Sequence, residues 1–460
     1  MSTRTRLWLL IAAAILIAYP VAAWIIGFVV EGELHARLQE GLQQAGPYVS
    51  SQRTYRRGVF GASEMLTVTL KQGGAPSAAA LPGLEGLASA GITVRNTIRH
   101  GPFPGGRTFA LATMDTEILL PPQVAKRLDA LFAGKNPLRM HTTLDWSGGS
   151  RTEVTIPAFS GQIAHTTISS SGLTGTATAS RGMRAITFNF DVKTLSLSGE
   201  QFGARLDGLR FRSALQSVIG TLRVGDGAFT ISHLEAQGSG PDAKAPLSVE
   251  NVEIGSHSSA TGDYITYSGK LATGPIKAAK FTASRQLYVL EGTHVYGPAL
   301  AGLLDNLRAV GRAAANSQSQ QQPVEALRKD GIDLLLHDPV IEVPHVDLVT
   351  PEGSLALSAR ATVPGLKRQD LEAAGPALIA ALIEHLQAKA DLKVDTGLLD
   401  KLTEGTPGNG DRLATAARQL EAQGYIAQEG TALVTHLTFD HGKLSLNGKA
   451  FPPSRAPQQP

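Results

Sequence analysis

Residues 186–193 read ITFNFDVK, and this stretch decides the fold class of the 460-residue chain. Apolar side chains at every second position alternate with polar ones, which is the period of a strand with one buried and one solvated face. Segments of the same kind occur at 151–159, 204–212, 228–237, 246–256, 261–272 and 280–293. Because no helical pattern separates them, they predict an antiparallel meander or a large curved sheet rather than a doubly wound α/β fold.

The helical signals lie mainly in the last third of the chain. An apolar stripe predicts a helix at 298–315, and further helices are predicted at 368–390 and 411–424, after an earlier short one at 121–133. Strands are expected at 332–343, 354–363, 431–439 and 443–447. The predicted fold class is therefore α+β and mostly β: an N-terminal transmembrane helix, then a large curved antiparallel sheet with amphipathic helices mainly in the C-terminal third.

The N-terminus carries the strongest single signal. Residues 7–30 contain no charged side chain, and a helix of that length spans about 36 Å, enough to cross a hydrocarbon core of ~30 Å. Arg4 and Arg6 precede the run and Glu31 and Glu33 follow it, so the positive-inside bias places the N-terminus in the cytoplasm. A cleaved signal peptide ending near Ala23 is the alternative, but the apolar run continues beyond that residue.

These features predict four segments and a location. Residues 7–30 are the anchor, 31–47 a juxtamembrane helix, 48–452 a β-rich periplasmic domain with a sub-boundary near 296–330, and 453–460 a disordered tail. The expected location is the bacterial inner membrane, as a single-pass protein with the bulk of the chain in the periplasm.

Composition excludes several function classes. The formal net charge is +3, and the first 60 residues supply all of it, so a nucleic-acid partner is not expected. The chain has no cysteine, which rules out disulfides, thiolate metal sites and a cysteine nucleophile. The expected partners are the membrane itself and a lipid or another envelope protein.

The sequence contains no HExxH and no GxSxG motif. The densest group of histidines and acids lies between Asp333 and Asp347, where a solvated strand face is a better explanation than a metal site. Residues 238–243 match GxGxxA, but they open no helix and a hairpin is favoured. No catalytic residue, metal or cofactor is predicted.

Three stretches of sequence resemble one known family. They are YRRGVFGAS at 55–63, HGPF at 100–103, and FDHGKL at 439–444, which is followed by NGK at 447–449 and FP at 451–452. Together and in this order they resemble the YdgA-like family of bacterial envelope proteins, a family with a domain of unknown function. The resemblance implies a periplasmic protein anchored in the inner membrane, and it carries over no catalytic residue.

Physical roles can be assigned to some of these residues. Gly58 is expected to adopt a conformation that a side chain would forbid, and Gly101-Pro102 to break strand pairing so that Phe103 packs in the core. Gly58, Phe60 and Phe103 are expected to matter for folding rather than for chemistry. Asn447-Gly448 predicts a hairpin turn. Binding of an anionic headgroup by Arg57 or His100 remains open. The motif residues of unknown role are Tyr55, Arg57, Gly58, Phe60, Ser63, His100, Gly101, Pro102, Phe103, Asn447 and Gly448.

Two functions from different classes fit these observations. The first is a non-enzymatic binding or scaffold module of the cell envelope. The alternative is a lipid-handling groove protein analogous to AsmA-like proteins, and an envelope hydrolase is less favoured. An apolar sheet face left uncovered by the helices would favour lipid.

Overall fold

The computed structural model describes residues 3–45, 49–70, 92–106, 108–120, 122–163, 165–200, 202–238, 246–279, 281–315, 319–372, 376–404 and 410–451. The described part of the chain is mostly β. It divides into two compact units. Unit 1 comprises Met1–Glu200, Gly208–Gln216 and Arg308–Gln320, and unit 2 comprises Gln201–Asp207, Ser217–Leu307 and Gln321–Pro460. The predicted tail at 453–460 lies outside the described residues.

Unit 1 combines a long N-terminal helix with an antiparallel sheet. Its elements are α1 (Thr3–Ala45), β1 (Val49–Arg57), β2 (Gly61–Leu70), β3 (Ile92–His100), β4 (Ala112–Leu119), α2 (Pro122–Phe132), β5 (Arg139–Leu144), β6 (Ser150–Ile156), β7 (Phe159–Ile163), β8 (Thr166–Ser170), β9 (Leu173–Ala179) and β10 (Ala185–Ser198). Strands β1 to β6 pair in sequence order, and β6 then pairs with β9. β10 pairs with β9 and then with β8, which in turn pairs with β7.

The stretch that predicted the fold class lies within β10. Residues Ile186 to Val192 pair with β9 in an unbroken antiparallel register. Gly175 of β9 stands opposite Phe190, whose ring occupies the space that a side chain at 175 would need. The close approach explains why a glycine stands in the middle of a strand, where it would otherwise weaken the pairing.

Unit 2 repeats this architecture with more helices. β11 (Phe202–Ile219) contributes to both units, and β12 (Leu222–Gly238), β13 (Leu247–Thr261), β14 (Tyr264–Thr273), β15 (Ile276–Ala278), β16 (Phe281–Ala283) and β17 (Arg285–Tyr296) follow. α3 (Gly297–Ala315) and α4 (Gln321–Leu335) come next, then β18 (Val340–Thr350), β19 (Gly353–Thr362), α5 (Arg368–Glu372), α6 (Pro376–His385) and β20 (Gln387–Asp395). The remaining elements are α7 (Thr396–Glu404), α8 (Gly410–Ala422), β21 (Ala427–Glu429), β22 (Ala432–Asp440), β23 (Lys443–Leu446) and β24 (Lys449–Ala450).

The sheet of unit 2 is also antiparallel. Its main path runs β12–β13–β14–β17–β18–β19–β20–β22–β23–β24. The first turns of α3 pack on one end of it, where Ala301 meets buried Leu222 and Ile265. The predicted prevalence of strands up to residue 295, and of helices after it, is confirmed within the described ranges.

Two of the predicted elements are wrong in this region. Residues 332–343 do not form one strand, because Ile332 and Leu335 belong to α4, where Ile332 packs on Leu366 and Leu371. Residues 368–390 do not form one helix: α6 ends at His385 and β20 begins at Gln387. The polar residues between the alanines of β20 give it a period of two, which the helix prediction overlooked.

A turn closes the C-terminal hairpin as predicted. Asn447 and Gly448 both have positive φ (49° and 75°) and join β23 to β24. The Asn447 amide donates to the carbonyls of Tyr425 (3.1 Å) and Val434 (3.3 Å), and its oxygen accepts from the N–H of His436 (2.8 Å). One side chain therefore ties the last hairpin to β22 and to the loop before β21.

No helix within the described part of the chain is long and apolar enough to cross a membrane. The side chains of α1 before Ala18 lie outside the described residues, so the predicted anchor at 7–30 falls partly outside them.

Asn447→Asp should lower the free energy of unfolding by about 1–3 kcal/mol, because a carboxylate cannot donate to the two carbonyls that the amide satisfies. Thermal unfolding followed by circular dichroism would measure the change. Gln428→Ala removes an exposed bond to Gly430 nearby and should cost less than about 0.5 kcal/mol. Equal melting temperatures for Asn447→Asp and the unmodified chain would contradict the tying role.

Candidate functional site

Most of the family-motif residues converge where α1 lies against the sheet of unit 1. We call the strand surface that contacts residues 23–37 of α1 the helix seat; it is formed by Arg53, Tyr55, Arg57, Glu64, Asn96, Ile98, His100, Ala112 and Leu144. Strand alternation produces it. In β3, Asn96, Ile98 and His100 are buried while the residues between them are exposed. Their partners across β2 and β4 continue the same face.

The centre of the helix seat is apolar. Ile26 and Val30 of α1 pack against Ile98, Ala112 and Leu144, and all five are less than 9% exposed. Burying a side chain of this size contributes roughly 1.5–3 kcal/mol relative to leaving it in water. The helix thus completes the core of unit 1 rather than resting on its surface.

His100 fixes the helix at the edge of this core. Its side chain is 1% exposed, and Nδ1–H donates to the backbone carbonyl of Ala23 across 2.9 Å. The imidazole lies so close to Gly27 that a Cβ there would come within 2.7 Å of the ring. Gly101, with φ +128°, brings its backbone equally close, since a Cβ there would meet the Ala23 methyl at 3.1 Å.

Burial lowers the pKa of His100 below its usual 6.5, and the nearby Arg57 charge acts in the same direction. The bond to Ala23 opposes this shift without reversing it. Nε2 is buried and finds no hydrogen-bond partner among the described residues. The neutral imidazole is therefore the form that fits the helix seat.

Ion pairs hold the helix beyond the apolar centre. Arg57 donates to Glu31 (3.0 Å), and its guanidinium lies 3.4 Å from the centroid of the Phe28 ring. Both contacts join β1 to α1. A cation is attracted both to a carboxylate and to the face of an aromatic ring, so both contacts of Arg57 stabilise the docked helix.

A buried polar chain lies deeper in the helix seat. Arg53 donates to Glu64 (2.5 Å), Asn96 donates to the other oxygen of Glu64 (2.6 Å), and Thr116 donates to Asn96 (2.7 Å). Glu64, Asn96 and Thr116 are each less than 9% exposed. Such a hydrogen-bond network is stable when its members are all paired with one another. Removing one member leaves a buried polar group without a partner and lowers the free energy of unfolding.

Tyr55 lies between these groups. Burial, together with the charges of Glu31 and Glu64, raises the pKa of its hydroxyl to about 12. The hydroxyl oxygen has no hydrogen-bond partner among the described residues, and the Arg53 guanidinium lies 4.9 Å from the ring centroid. Tyr55 is a neutral part of the helix seat at every physiological pH.

The contacts of α1 extend from the first strand of the sheet to the sixth. His35 contacts Arg53 of β1, whereas Arg37, within the same helical turn, donates to Ser150 at the start of β6 (2.5 Å) and to the Gly148 carbonyl (2.7 Å). The helix therefore ties together both sides of the helix seat.

The structure corrects several of the assigned roles. Phe60 and Phe103 are 52% and 51% exposed, so neither ring packs in the core, and Pro104 is buried in place of Phe103. Gly58 does not have a left-handed φ; its N–H donates to Gly61 in the β1–β2 turn. His100 is too buried to bind a free headgroup, and Arg57 is already paired.

The other motif residues lie elsewhere. Ser63 is exposed on the opposite face of β2, and Pro102 is half-buried next to Gly101. Asn447 and Gly448 belong to unit 2. Among the described residues, no three or more histidine, aspartate or glutamate side chains are grouped as metal ligands would be. Within residues 333–347, His337 stacks on Tyr296 with ring centroids 3.7 Å apart.

Sequence reasoning missed the helix side of this site. Gly27, Glu31, Glu64 and Asn96 were not singled out. One signal was present in ITVRNTIRH at 92–100, where Asn96 and His100 fall on the same strand face as Ile98. A polar residue on an otherwise apolar face indicates a buried partner, which here is α1 and its neighbours.

The helix seat is chemically suited to holding a helix. Most of its polar groups bind one another or α1, although the Tyr55 hydroxyl and His100 Nε2 have no hydrogen-bond partner among the described residues, and its apolar centre is covered by Ile26 and Val30. The part of α1 that faces away from the sheet is different, because Val21, Trp24, Ile25, Phe28 and Val29 are each 47–54% exposed.

Gly27→Ala should destabilise the docked helix by about 1–3 kcal/mol, since the added methyl displaces the imidazole of His100. Gly32→Ala is the matched control in the same helix. No atom lies within 4 Å of its Cβ position, so the substitution should be neutral or stabilise the helix by up to about 1 kcal/mol. Thermal unfolding in detergent separates the two; the same sign for both would contradict the contact.

The lowered pKa of His100 makes the stability of unit 1 depend on pH. The unfolded chain binds the proton more readily than the folded one, so stability is complete above about pH 6.5 and falls as the pH drops toward the folded-state pKa. His100→Asn removes this titration. The free energy of unfolding should therefore fall more steeply between about pH 7.5 and 5.5 in the unmodified chain, and parallel curves would exclude His100 as the source.

Comparison with known proteins agrees with the motifs. The model of the family described as bacterial protein of unknown function (DUF945) matches residues 4–454. Protein YdgA of Escherichia coli (strain K12) is 22% identical over 495 aligned residues, which cover 96% of this chain and 94% of that protein. No solved structure matches the chain significantly. Because the match spans nearly the whole chain and the resemblance is confirmed, the chain belongs to DUF945, the YdgA-like family of bacterial proteins of unknown function.

Proposed function

We propose that this chain is a membrane-anchored protein of the bacterial cell envelope that binds an apolar or amphiphilic component without turning it over. The anchor is the uncharged segment from residue 7. The distribution of Arg4, Arg6, Glu31 and Glu33 supports an N-terminus in the cytoplasm and two β units in the periplasm. The binding role rests on one observation in unit 2.

That observation is an uncovered apolar face of the sheet. Directly paired residues form an apolar row across seven strands, β12, β13, β14, β17, β18, β19 and β20. The row consists of Phe229, Ile254, Leu271, Tyr288, Val346, Leu357 and Leu392. On the opposite face, charged groups such as Lys270 and Glu253 pair at 2.8 Å. One face therefore suits water and the other an apolar ligand.

The middle of this face is open to solvent. Six side chains on it are 38–58% exposed, and we call them the apolar strip: Ile254, Tyr267, Leu271, Tyr288, Leu290 and Ile341. With about 200 Å² for a fully exposed large side chain, they leave on the order of 500 Å² of apolar surface in water. Patches of this size on a folded protein are often functional.

Helix α3 covers only one end of the face. It packs over Ile265, and Tyr267, the next residue on the same side of β14, is 43% exposed. The incomplete cover favours the second candidate function, lipid handling, over a scaffold that binds through its polar surfaces. Acyl chains match a continuous apolar row across several strands, which is the groove expected of AsmA-like analogues; this is a likeness of architecture alone.

A non-enzymatic role is supported by how the motif side chains are used. His100 and Arg57, which are the motif residues best suited to chemistry, each hold α1 through one nitrogen: His100 Nδ1–H donates to the Ala23 carbonyl and Arg57 donates to Glu31. The less favoured alternative, an envelope hydrolase, predicts turnover of a substrate, which an activity assay detects.

The triple variant Ile254→Ser, Leu290→Ser, Ile341→Ser should lose most of the phospholipid that co-purifies with the full chain, measured by lipid mass spectrometry. Val349→Ser is the control, because Val349 is 39% exposed on the opposite face of β18. Both should melt near the temperature of the unmodified chain, since all four side chains are solvent-exposed.

Equal lipid retention by the triple variant and the control would contradict the strip as a binding surface. A protein that co-purifies in place of lipid, and is lost in the triple variant, would favour the scaffold role. Hydrolysis of an ester, peptide, glycan or phosphate substrate that one substitution abolishes would identify an enzyme instead.

A further inference from the structure

Three turns of unit 1 lie at one end of its sheet. They are residues 58–60 between β1 and β2, 101–106 and 108–111 between β3 and β4, and 145–149 between β5 and β6. Alternate turns of an antiparallel meander meet at the same end, and the register from β1 to β6 is of this kind. Helix α1 enters the helix seat at this end, where Ala23 meets His100.

Each of these turns carries exposed aromatic side chains. Phe60, Phe103, Phe109 and Trp146 are 52%, 51%, 66% and 44% exposed. Together with Tyr19 of α1 we call them the aromatic rim. Its members contact one another: Tyr19 stacks on Phe60 (centroids 6.0 Å apart), and the Phe109 ring lies 5.4 Å from Phe103 and 5.2 Å from Trp146.

The rim is joined to the helix. The hydroxyl of Tyr19 donates to the carbonyl of Phe103 across 3.1 Å. The exposed apolar face of α1, from Val21 to Val29, continues the rim, and Trp24 and Phe28 on that face meet edge to face with centroids 4.7 Å apart. Aromatic and aliphatic surface is thus concentrated where the uncharged segment leaves the sheet.

The number of residues of α1 before Ala23 bears on how close the rim end of unit 1 lies to the membrane. The bond from His100 assigns Ala23 to the body of unit 1, so residues 7–22 remain for the membrane. These sixteen residues span about 24 Å as a helix, less than the ~30 Å of a hydrocarbon core. A helix this short can be accommodated if the end of unit 1 that carries the rim enters the interfacial layer.

The charges near the rim are compatible with that position. The Asp145 carboxylate accepts from Ser147 Oγ (2.5 Å) and from the N–H groups of Ser147 and Gly149 (2.8 and 2.9 Å), so it is satisfied within its own turn. The first charge of α1 after residue 22, Glu31, is paired with Arg57. Tyr and Trp, which the rim contains at Tyr19 and Trp146, are the aromatic residues that membrane interfaces enrich.

We propose that the aromatic rim and the exposed face of residues 21–29 lie in the headgroup–acyl boundary of the bilayer that holds the N-terminal segment. Unit 1 is then seated on the membrane in a fixed orientation rather than suspended from it. This inference rests on the anchor in the proposed function and is independent of the apolar strip in unit 2.

The test uses the full chain in vesicles of phosphatidylethanolamine and phosphatidylglycerol. Trp8→Phe, Trp24→Phe leaves Trp146 as the single tryptophan. A doxyl lipid labelled near the headgroup should quench its fluorescence several-fold more than the same probe quenches a control. The control carries Trp8→Phe, Trp24→Phe, Trp146→Phe and Ile92→Trp, because Ile92 is 40% exposed at the opposite end of β3.

Flotation of the vesicles after an alkaline carbonate wash tests separately whether the chain is anchored in the bilayer. A chain that floats while Trp146 is quenched no more than the control overturns the rim and leaves the anchor standing. A blue-shifted but unquenched Trp146 also overturns it and assigns the rim to a protein contact. A chain that fails to float overturns the anchor itself, and the seating with it.

Discussion

The contact between residues 23–30 of α1 and the ends of β3, β4 and β5 is the interaction on which unit 1 depends. His100 can donate to the Ala23 carbonyl only because residue 27 has no side chain, and Ile26 and Val30 can fill the core only when the helix is held at that distance. Without the helix, Ile98 and the chain from Arg53 to Thr116 would face water. The N-terminal helix and the β sheet are therefore one folding unit, and removing the helix exposes the core that it completes.

The two units differ in how the apolar face of their sheet is covered. Each sheet presents one apolar face, because strands with a period of two separate their side chains by face. In unit 1 the chain's own helix covers that face. In unit 2, α3 covers the end around Ile265 and leaves Ile254, Leu290 and Ile341 exposed. Exposing that apolar surface to water raises the free energy of the protein, and an apolar ligand that covered it would lower this free energy. This is the physical reason to expect an apolar ligand on unit 2.

Local patterns were enough to predict much of the architecture. The alternation in ITFNFDVK, the Asn447-Gly448 turn and the stripe of α3 depend on neighbouring residues alone, and the structure confirms all three. Residues 332–343 failed because a short apolar run fits both periods, and the packing of Ile332 on Leu366 and Leu371 favours the helix. Residues 368–390 failed because the alternation in Gln387–Asp395, with its small alanines, is easily mistaken for the end of the preceding helix. Phe103 failed for a different reason: whether a turn residue points into the core depends on what stands beside the turn, and that is α1, nearly eighty residues earlier in the chain. The same distance hid the role of His100.

The uncharged run at 7–30 shows why hydropathy alone does not distinguish a membrane span from a helix buried against a sheet. Burial against a sheet and burial in lipid both require apolar side chains, so a single run of 24 residues can serve both environments without any change in composition. What distinguishes them is a polar partner for the backbone or a missing side chain at close contact. Here the Ala23 carbonyl and Gly27 mark the change, because a helix surrounded by lipid has no use for either a buried imidazole or a glycine shaped to it. In the anchor that we propose, the lipid-facing segment gives way to the sheet contact near Ala23. Ala23, Ile26, Gly27 and Val30 are buried in unit 1, whereas the side chains between them stay exposed.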